Sequence, residues 1–145
     1  MASLKGKTLF ITGASRGIGE AIARRMAEHG ANVVVSSRKA DACDVVTNSI
    51  NEQHPGRALT VPCNIGDKAQ LQNLVDKTKE HFGQIDILVC NAAVNPYFGP
   101  SADCPDDAFD KIMNGNVKSN HWLSNMVLPE MLERKDGVII VISSI

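Results

Sequence analysis

Thr8-Leu9-Phe10-Ile11-Thr12-Gly13-Ala14-Ser15-Arg16-Gly17-Ile18-Gly19 is the stretch from which the fold can be read. A short apolar run meets a glycine-rich turn, and the turn opens a new pattern. Ile18, Ala21, Ile22 and Met26 recur at helical spacing. The spacing predicts a buried strand over residues 8–12, a tight turn, and an amphipathic helix that Gly30 ends. Asn-Val-Val-Val-Ser over residues 32–36 then reads as a second, β-branched strand.

The alternation continues to the end of the chain. A weaker helix is predicted over residues 40–53, carrying Val45, Val46 and Ile50, and His54-Pro55-Gly56 turns the chain after it. Residues 58–62 read as a short third strand. Asp67 is a suitable N-cap for a helix whose stripe is Leu71, Leu74, Val75, Thr78 and Phe82, and Gly83 breaks that helix. A fourth strand is expected over residues 85–90. Residues 95–105, rich in Pro, Gly, Ser and Asp, read as a loop. Two separate helices follow, over residues 106–113 and 116–133, the second with Trp122, Leu123, Met126, Val127 and Met131 on its apolar face. Residues 137–142 form the fifth strand. Strands alternating with helices of this length imply an α/β fold, a doubly wound parallel sheet of Rossmann-like type with helices on both faces. No repeat or linker divides the chain, so one domain over residues 1–145 is expected.

Composition narrows the function. At 145 residues with 43% apolar and 21% charged residues, the chain can bury a true core. A net charge of -1 argues against a broad basic face for nucleic acid, and scarce aromatics argue against a base-stacking surface. Cys43, Cys63, Cys90 and Cys104 lack C-x-x-C spacing and have no histidine cluster, so neither a disulfide framework nor a metal site is expected. A reduced, cytoplasmic setting is the expectation. No secretory leader is recognised at the N-terminus, and no run reaches the roughly 18 apolar residues that span a bilayer.

The glycine turn carries the chemistry. Glycines at its positions remove side chains that would hold a pyrophosphate off the backbone, and the start of the following helix offers free N–H groups and a positive dipole end. Its spacing is G-x-x-x-G-x-G rather than G-x-G-x-x-G. A plain tight turn is the bland alternative; the strand before and amphipathic helix after favour a nucleotide site. An acid at the end of the second strand would bind the ribose hydroxyls of NAD. Here Ser36-Ser37-Arg38-Lys39 stands instead. Arg38 suits a 2′-phosphate, with Arg16 approaching from the turn, so NADP(H) is the expected cofactor. The alternative is that Arg38 and Lys39 only begin a solvated helix.

These residues resemble the short-chain dehydrogenase/reductase family, and the resemblance runs along nearly the whole chain. Residues 12–19 resemble its TGxxxGxG turn. Asn64-Ile65 resembles its adenine-contacting pair, in which Asp is more usual than Asn. Cys90-Asn91-Ala92-Ala93 resembles its NNAG stretch, with Cys and Ala replacing the first Asn and the last Gly. The run from Asn91 to Gly99 is similar to the carbonyl-reductase branch that contains the dehydrogenase/reductase member 4 proteins. By that resemblance Gly13, Ser15, Arg16, Gly17, Ile18 and Gly19 hold the cofactor, together with Ser37 and Arg38. Asn64, Ile65, Asn91, Ala92 and Ala93 complete its expected contacts. Asn116, in an Asn-Val pair, corresponds to the family residue that anchors a relay water. Ser144 takes the position of the catalytic serine, and a plain helix-face or strand-end role is the alternative for each.

The resemblance implies hydride transfer between NADP(H) and a carbonyl or alcohol substrate, with a Tyr-x-x-x-Lys motif supplying the proton. Tyr97 is the one tyrosine, and Ser101 stands where the lysine would have to be. The sheet is therefore expected to be C-terminally incomplete and the 145-residue chain inactive alone, with residues 138–142 a bare edge and the stripe around Trp122 and Met126 exposed. A homo-oligomer is expected for a full-length protein. The alternative is a non-catalytic NADP(H)-binding or dimer-pairing module. A flavodoxin-like FMN domain is a third reading, disfavoured by the glycine order and by the Asn91 and Ser144 matches.

Overall fold

A strand buried on both faces needs apolar residues at consecutive positions, and residues 8–12 are buried at every one. The computed structural model describes residues 3–144. Its strands are β1 (Thr8–Thr12), β2 (Asn32–Ser36), β3 (Ala58–Thr60), β4 (Ile87–Cys90) and β5 (Val138–Val141). They form one sheet in the order β3-β2-β1-β4-β5, parallel throughout. The helices are α1 (Gly17–Glu28), α2 (Ala40–Gln53), α3 (Lys68–Phe82), α4 (Asp106–Met113) and α5 (Ser119–Arg134).

Successive strand residues face opposite ways, so the sheet builds two cores. Leu9, Ile11, Val33, Val35 and Val89 pack with Ala23 and Ala27 of α1 and Val46 and Ile50 of α2. Phe10, Val34 and Leu88 pack with Leu71 and Leu74 of α3 and Leu123 and Val127 of α5. This is the doubly wound arrangement. The strand order reverses between β1 and β4, which opens a crevice at their C-terminal ends.

Several boundaries differ from the sequence expectation. β3 ends at Thr60, although the Val61 and Cys63 N–H groups beyond it still donate to the Val35 and Ser37 carbonyls, at 3.2 and 2.9 Å. β4 begins at Ile87 because the Asp86 carboxylate, rather than a backbone carbonyl, accepts the Thr8 N–H at 2.8 Å. The two helices expected after the loop are one continuous run: a π turn, Asn114–Lys118, joins α4 to α5. Its signature is the Ser119 N–H donating five residues back, to the Asn114 carbonyl.

The edge behaves as expected only in part. β5 pairs with β4 alone, and its Val138 and Val141 are exposed. Trp122 and Met126 are not a bare stripe; both are half-buried against the second core. Lys68 and Lys118 hold their ammonium groups 5.5 and 4.9 Å from the Trp122 ring centre. The exposed apolar positions of α5 lie lower, at Leu128 and Leu132. With Met131 and Ile139 they line a groove of about 540 Å³.

Candidate nucleotide site at the sheet switch point

The site is built from the end of β1 outward. Gly13 and Gly17 hold φ of +67° and +59°, a region that side chains with a Cβ avoid. Gly19 is needed for contact rather than conformation. A Cβ there would lie 2.3 Å from the Gly13 carbonyl oxygen and 2.6 Å from Asn91 Nδ2. The first turn of α1 therefore rests directly on the glycine turn. No side chain caps that turn at Arg16, so its first N–H groups have no side-chain acceptor there.

Hydrogen bonds tie the turn to its neighbours on both sides. The Ala14 N–H donates to the Ser36 carbonyl at 2.9 Å, joining the turn to the end of β2. Arg16 and Arg38 each stand two residues beyond that bond. Both are exposed, and among the described residues neither has an ion pair or hydrogen-bonding partner for its guanidinium. Ser37 is less free. Its hydroxyl accepts from the Lys39 N–H at 3.3 Å and lies 3.1 Å from Cys43 Sγ. Burial pushes the Cys43 thiol up, and the bond to Ser37 opposes this.

On the β4 side, the Thr12 hydroxyl accepts from the Asn91 N–H at 3.1 Å and the Ala92 N–H at 3.0 Å. Asn91 Nδ2 donates to the carbonyls of Thr12 and Gly13, both at 3.1 Å. The Asn91 amide is thus engaged in holding the glycine turn, where the sequence reading gave it a place beside the cofactor ribose. Thr12 was missed by sequence reasoning. A hydroxyl at the last position of an apolar strand was the signal available. Asn64 is exposed, and its Oδ1 accepts from the Gly66 N–H at 3.0 Å, shaping the loop before α3. Ile65 is half-buried against the second core. Ser15 is half-buried, while Ile18 and Ala93 are exposed at the mouth.

Asn116 does not face solvent as a plain helix residue. It lies in the π turn, where its Oδ1 accepts from the Val94 N–H at 2.8 Å and its Nδ2 donates to the Val94 carbonyl at 2.9 Å. Ser144 is exposed, three residues past Val141, whose partner in the ladder is Cys90. Asn116, through Val94, and Ser144 therefore both stand at the C-terminal end of β4 and β5, beside the Asn91 segment. Tyr97 spends its hydroxyl on the Pro100 carbonyl at 3.0 Å. Among the described residues, no group of three His, Cys, Asp or Glu could hold a metal ion. No helix among them is long and apolar enough to cross a membrane.

This geometry has counterparts. The family model described as short chain dehydrogenase matches residues 7–145. The chain belongs to the short-chain dehydrogenase/reductase family. A bovine relative, "Dehydrogenase/reductase SDR family member 4", is 41% identical over 142 residues, covering 98% of this chain and 50% of its own length. Two solved members of the family share the fold. A 7α-hydroxysteroid dehydrogenase complexed with NADH and 7-oxo glycochenodeoxycholic acid matches with a TM-score of 0.90 and 40% identity, over 98% of this chain and 55% of its own. A metagenomic short-chain oxidoreductase in complex with NADP matches with a TM-score of 0.92 and 33% identity, over 99% and 65%. The chain spans about half the length of the curated relatives it matches.

Proposed function

We propose that this chain is the cofactor-binding part of an oxidoreductase that uses NADP(H) on a small carbonyl or alcohol substrate. The observation that carries the proposal is the uncapped first turn of α1, flanked by the two unpaired guanidinium groups of Arg16 and Arg38. An anion at that turn gains unused N–H donors and the helix dipole. A 2′-phosphate beside β2 gains a planar, bidentate partner. The cradle fits a dinucleotide, because Gly13, Gly17 and Gly19 keep the approach free of side chains. One solved family member carries NADP and another NADH. The absence of an acid between β2 and Asp41 favours the phosphorylated form here.

The bound nicotinamide would supply the hydride. This chain's residues would orient it: Asn91, Ala92 and Ala93 along the ribose, Asn64 and Ile65 at the adenine, and Ser37 beside Arg38. Ser144 would donate a hydrogen bond to the substrate oxygen, and Asn116 would hold the helix from which a relay water is anchored. No Tyr-x-x-x-Lys occurs in these 145 residues, and Tyr97 is committed to Pro100. We therefore expect binding without turnover from the chain alone. Calorimetric titration with NADPH and, separately, NADH tests the binding. NADPH should bind at least about tenfold more tightly, the effect of about one charge-assisted hydrogen bond. Equal affinities would sink the preference, and reduction of a diketone or aldehyde by the purified chain would sink the expected inactivity.

The exposed β5 edge and the groove beside Leu132 favour a second role beside the first: pairing with another chain, as in a homo-oligomer of the family. A strictly monomeric chain across a wide concentration range in sedimentation would exclude it.

A further inference from the structure

A π turn costs regular helical hydrogen bonding, so something must hold it. In Asn114–Lys118 the backbone closes through the Ser119 N–H on the Asn114 carbonyl. The next two carbonyls are served by side chains from the following turn. Ser119 Oγ donates to the Gly115 carbonyl, and Asn120 Nδ2 donates to the Asn116 carbonyl at 2.9 Å. Ser124 Oγ then donates to the Asn120 carbonyl at 2.7 Å. Asn is a poor helix former because it competes for backbone groups, and here that competition stabilises the wide turn.

The turn has a second customer. The Asn116 amide grips both backbone groups of Val94. Gly115 lets Val94 approach, since a Cβ there would lie 2.7 Å from Val94 Cγ2. At its other end the same segment is pinned by the Asn91 and Ala92 N–H groups on Thr12. Residues 91–94 are thus a bridge with one end on β1 and the other on the π turn.

We propose that Asn120 is a positioning residue for the half of the dinucleotide that lies over β4. It holds the Asn116 carbonyl, the carbonyl fixes the wide turn, and the turn aims the Asn116 side chain at Val94. This rests on the reading of the site as a binder of NADP(H). The sheet order says which half is affected. Arg38 stands over β2, the anion site at the end of β1, and residues 91–94 over β4. A dinucleotide with its pyrophosphate at α1 and its 2′-phosphate at Arg38 must carry its other half toward β4.

The test compares NADPH with 2′,5′-ADP, which carries only the half over β2. Asn120→Leu removes the donor and favours a regular helix. In calorimetry it should weaken NADPH by about tenfold, the worth of a lost positioning hydrogen bond, and change 2′,5′-ADP by less than about twofold. The Val94 amide should exchange faster with solvent. Asn120→Ser should restore both properties, because a serine hydroxyl reaches a carbonyl four residues back, as Ser124 does. Equal weakening of both ligands, or no weakening of either, overturns the proposal. Failure of the wild-type chain to bind either ligand overturns the cofactor reading beneath it. An unchanged Val94 exchange rate in Asn120→Leu separately overturns the positioning role.

Discussion

The starts of α1 and α3 make an instructive pair. Each helix follows a strand of the same sheet and begins at its C-terminal end. α3 closes its own first turn: Asp67 accepts from the Ala69 N–H at 2.9 Å and the Gln70 N–H at 3.2 Å. α1 has no side-chain cap at Arg16 and is preceded by a turn with two glycines at positive φ. The closed start satisfies its donors and contributes to stability. The open start leaves donors and two arginines unspent, which is a cost to the free chain and a resource for an anionic ligand.

Filling the open start should produce the largest effect. Gly19→Ala places a methyl group against the Gly13 carbonyl and Asn91, backbone and side chain that are themselves pinned. We expect a loss of about 3 kcal/mol of stability from overpacking and no measurable NADPH binding. Gly66→Ala, just before α3, meets only Asn64 Oδ1 at 3.4 Å and should be tolerated in both assays. Denaturant unfolding and calorimetry on the two variants decide it. Similar losses in both would mean that the α1 turn is no tighter than its counterpart.

Changing charge rather than shape should come next. Arg38→Asp is expected to reduce NADPH affinity by about 10- to 100-fold, as for loss of a charge-assisted bond with added repulsion. NADH affinity should be unchanged or improved, so that the ratio of the two reverses. An unchanged ratio would show Arg38 to be only a solvated residue ahead of α2. At the closed start, Asp67→Ala should cost about 1 kcal/mol of stability by loss of the cap. It should leave the NADPH-to-NADH ratio where it was, because the Asp67 carboxylate is spent on the start of α3.

The same contrast marks what was legible in the sequence. Asp67 before an apolar stripe reads as a cap because capping is local, and the strands read because burial on both faces imposes consecutive apolar residues. The glycine turn read as an anion site for the same local reason. The bonds that assemble the site are long-range and left little trace. Thr12 reaches across to Asn91 and Ala92, and Asn116 to Val94, through hydroxyl and amide groups that have equally good local uses. The π turn was read as a break between helices because Asn114-Gly115 is a poor helical pair. The side chains of Ser119 and Asn120, folded back on it, join the backbone bonds that keep the helix running. The stripe around Trp122 is expected bare from the absence of the family's later elements; its packing on the second core and the two lysines arriving from α3 and the π turn have no periodic signature.

The smallest expected effect is electrostatic and isolates the charge of the closed start from its hydrogen bonds. Cys63 and Cys90, near the ends of β3 and β4, are both buried, and each thiol is pushed up to about 11 from 9.0. Burial is the larger cause for Cys63, with the Asp67 carboxylate adding to it; for Cys90 burial acts alone. A raised thiol pKa means that the folded chain holds its proton more tightly than the unfolded one. Stability from these groups is thus complete below pH 9 and declines as pH rises to about 11. Asp67→Asn keeps an oxygen to cap α3 and removes the charge. In variants retaining one of the two thiols, ultraviolet titration of the thiolate should then show Cys63 ionising at lower pH and Cys90 unmoved. A shift at both would mean that the substitution loosens the core generally. No shift at either would mean that solvent screens Asp67, leaving the two helix starts to differ in hydrogen bonding alone.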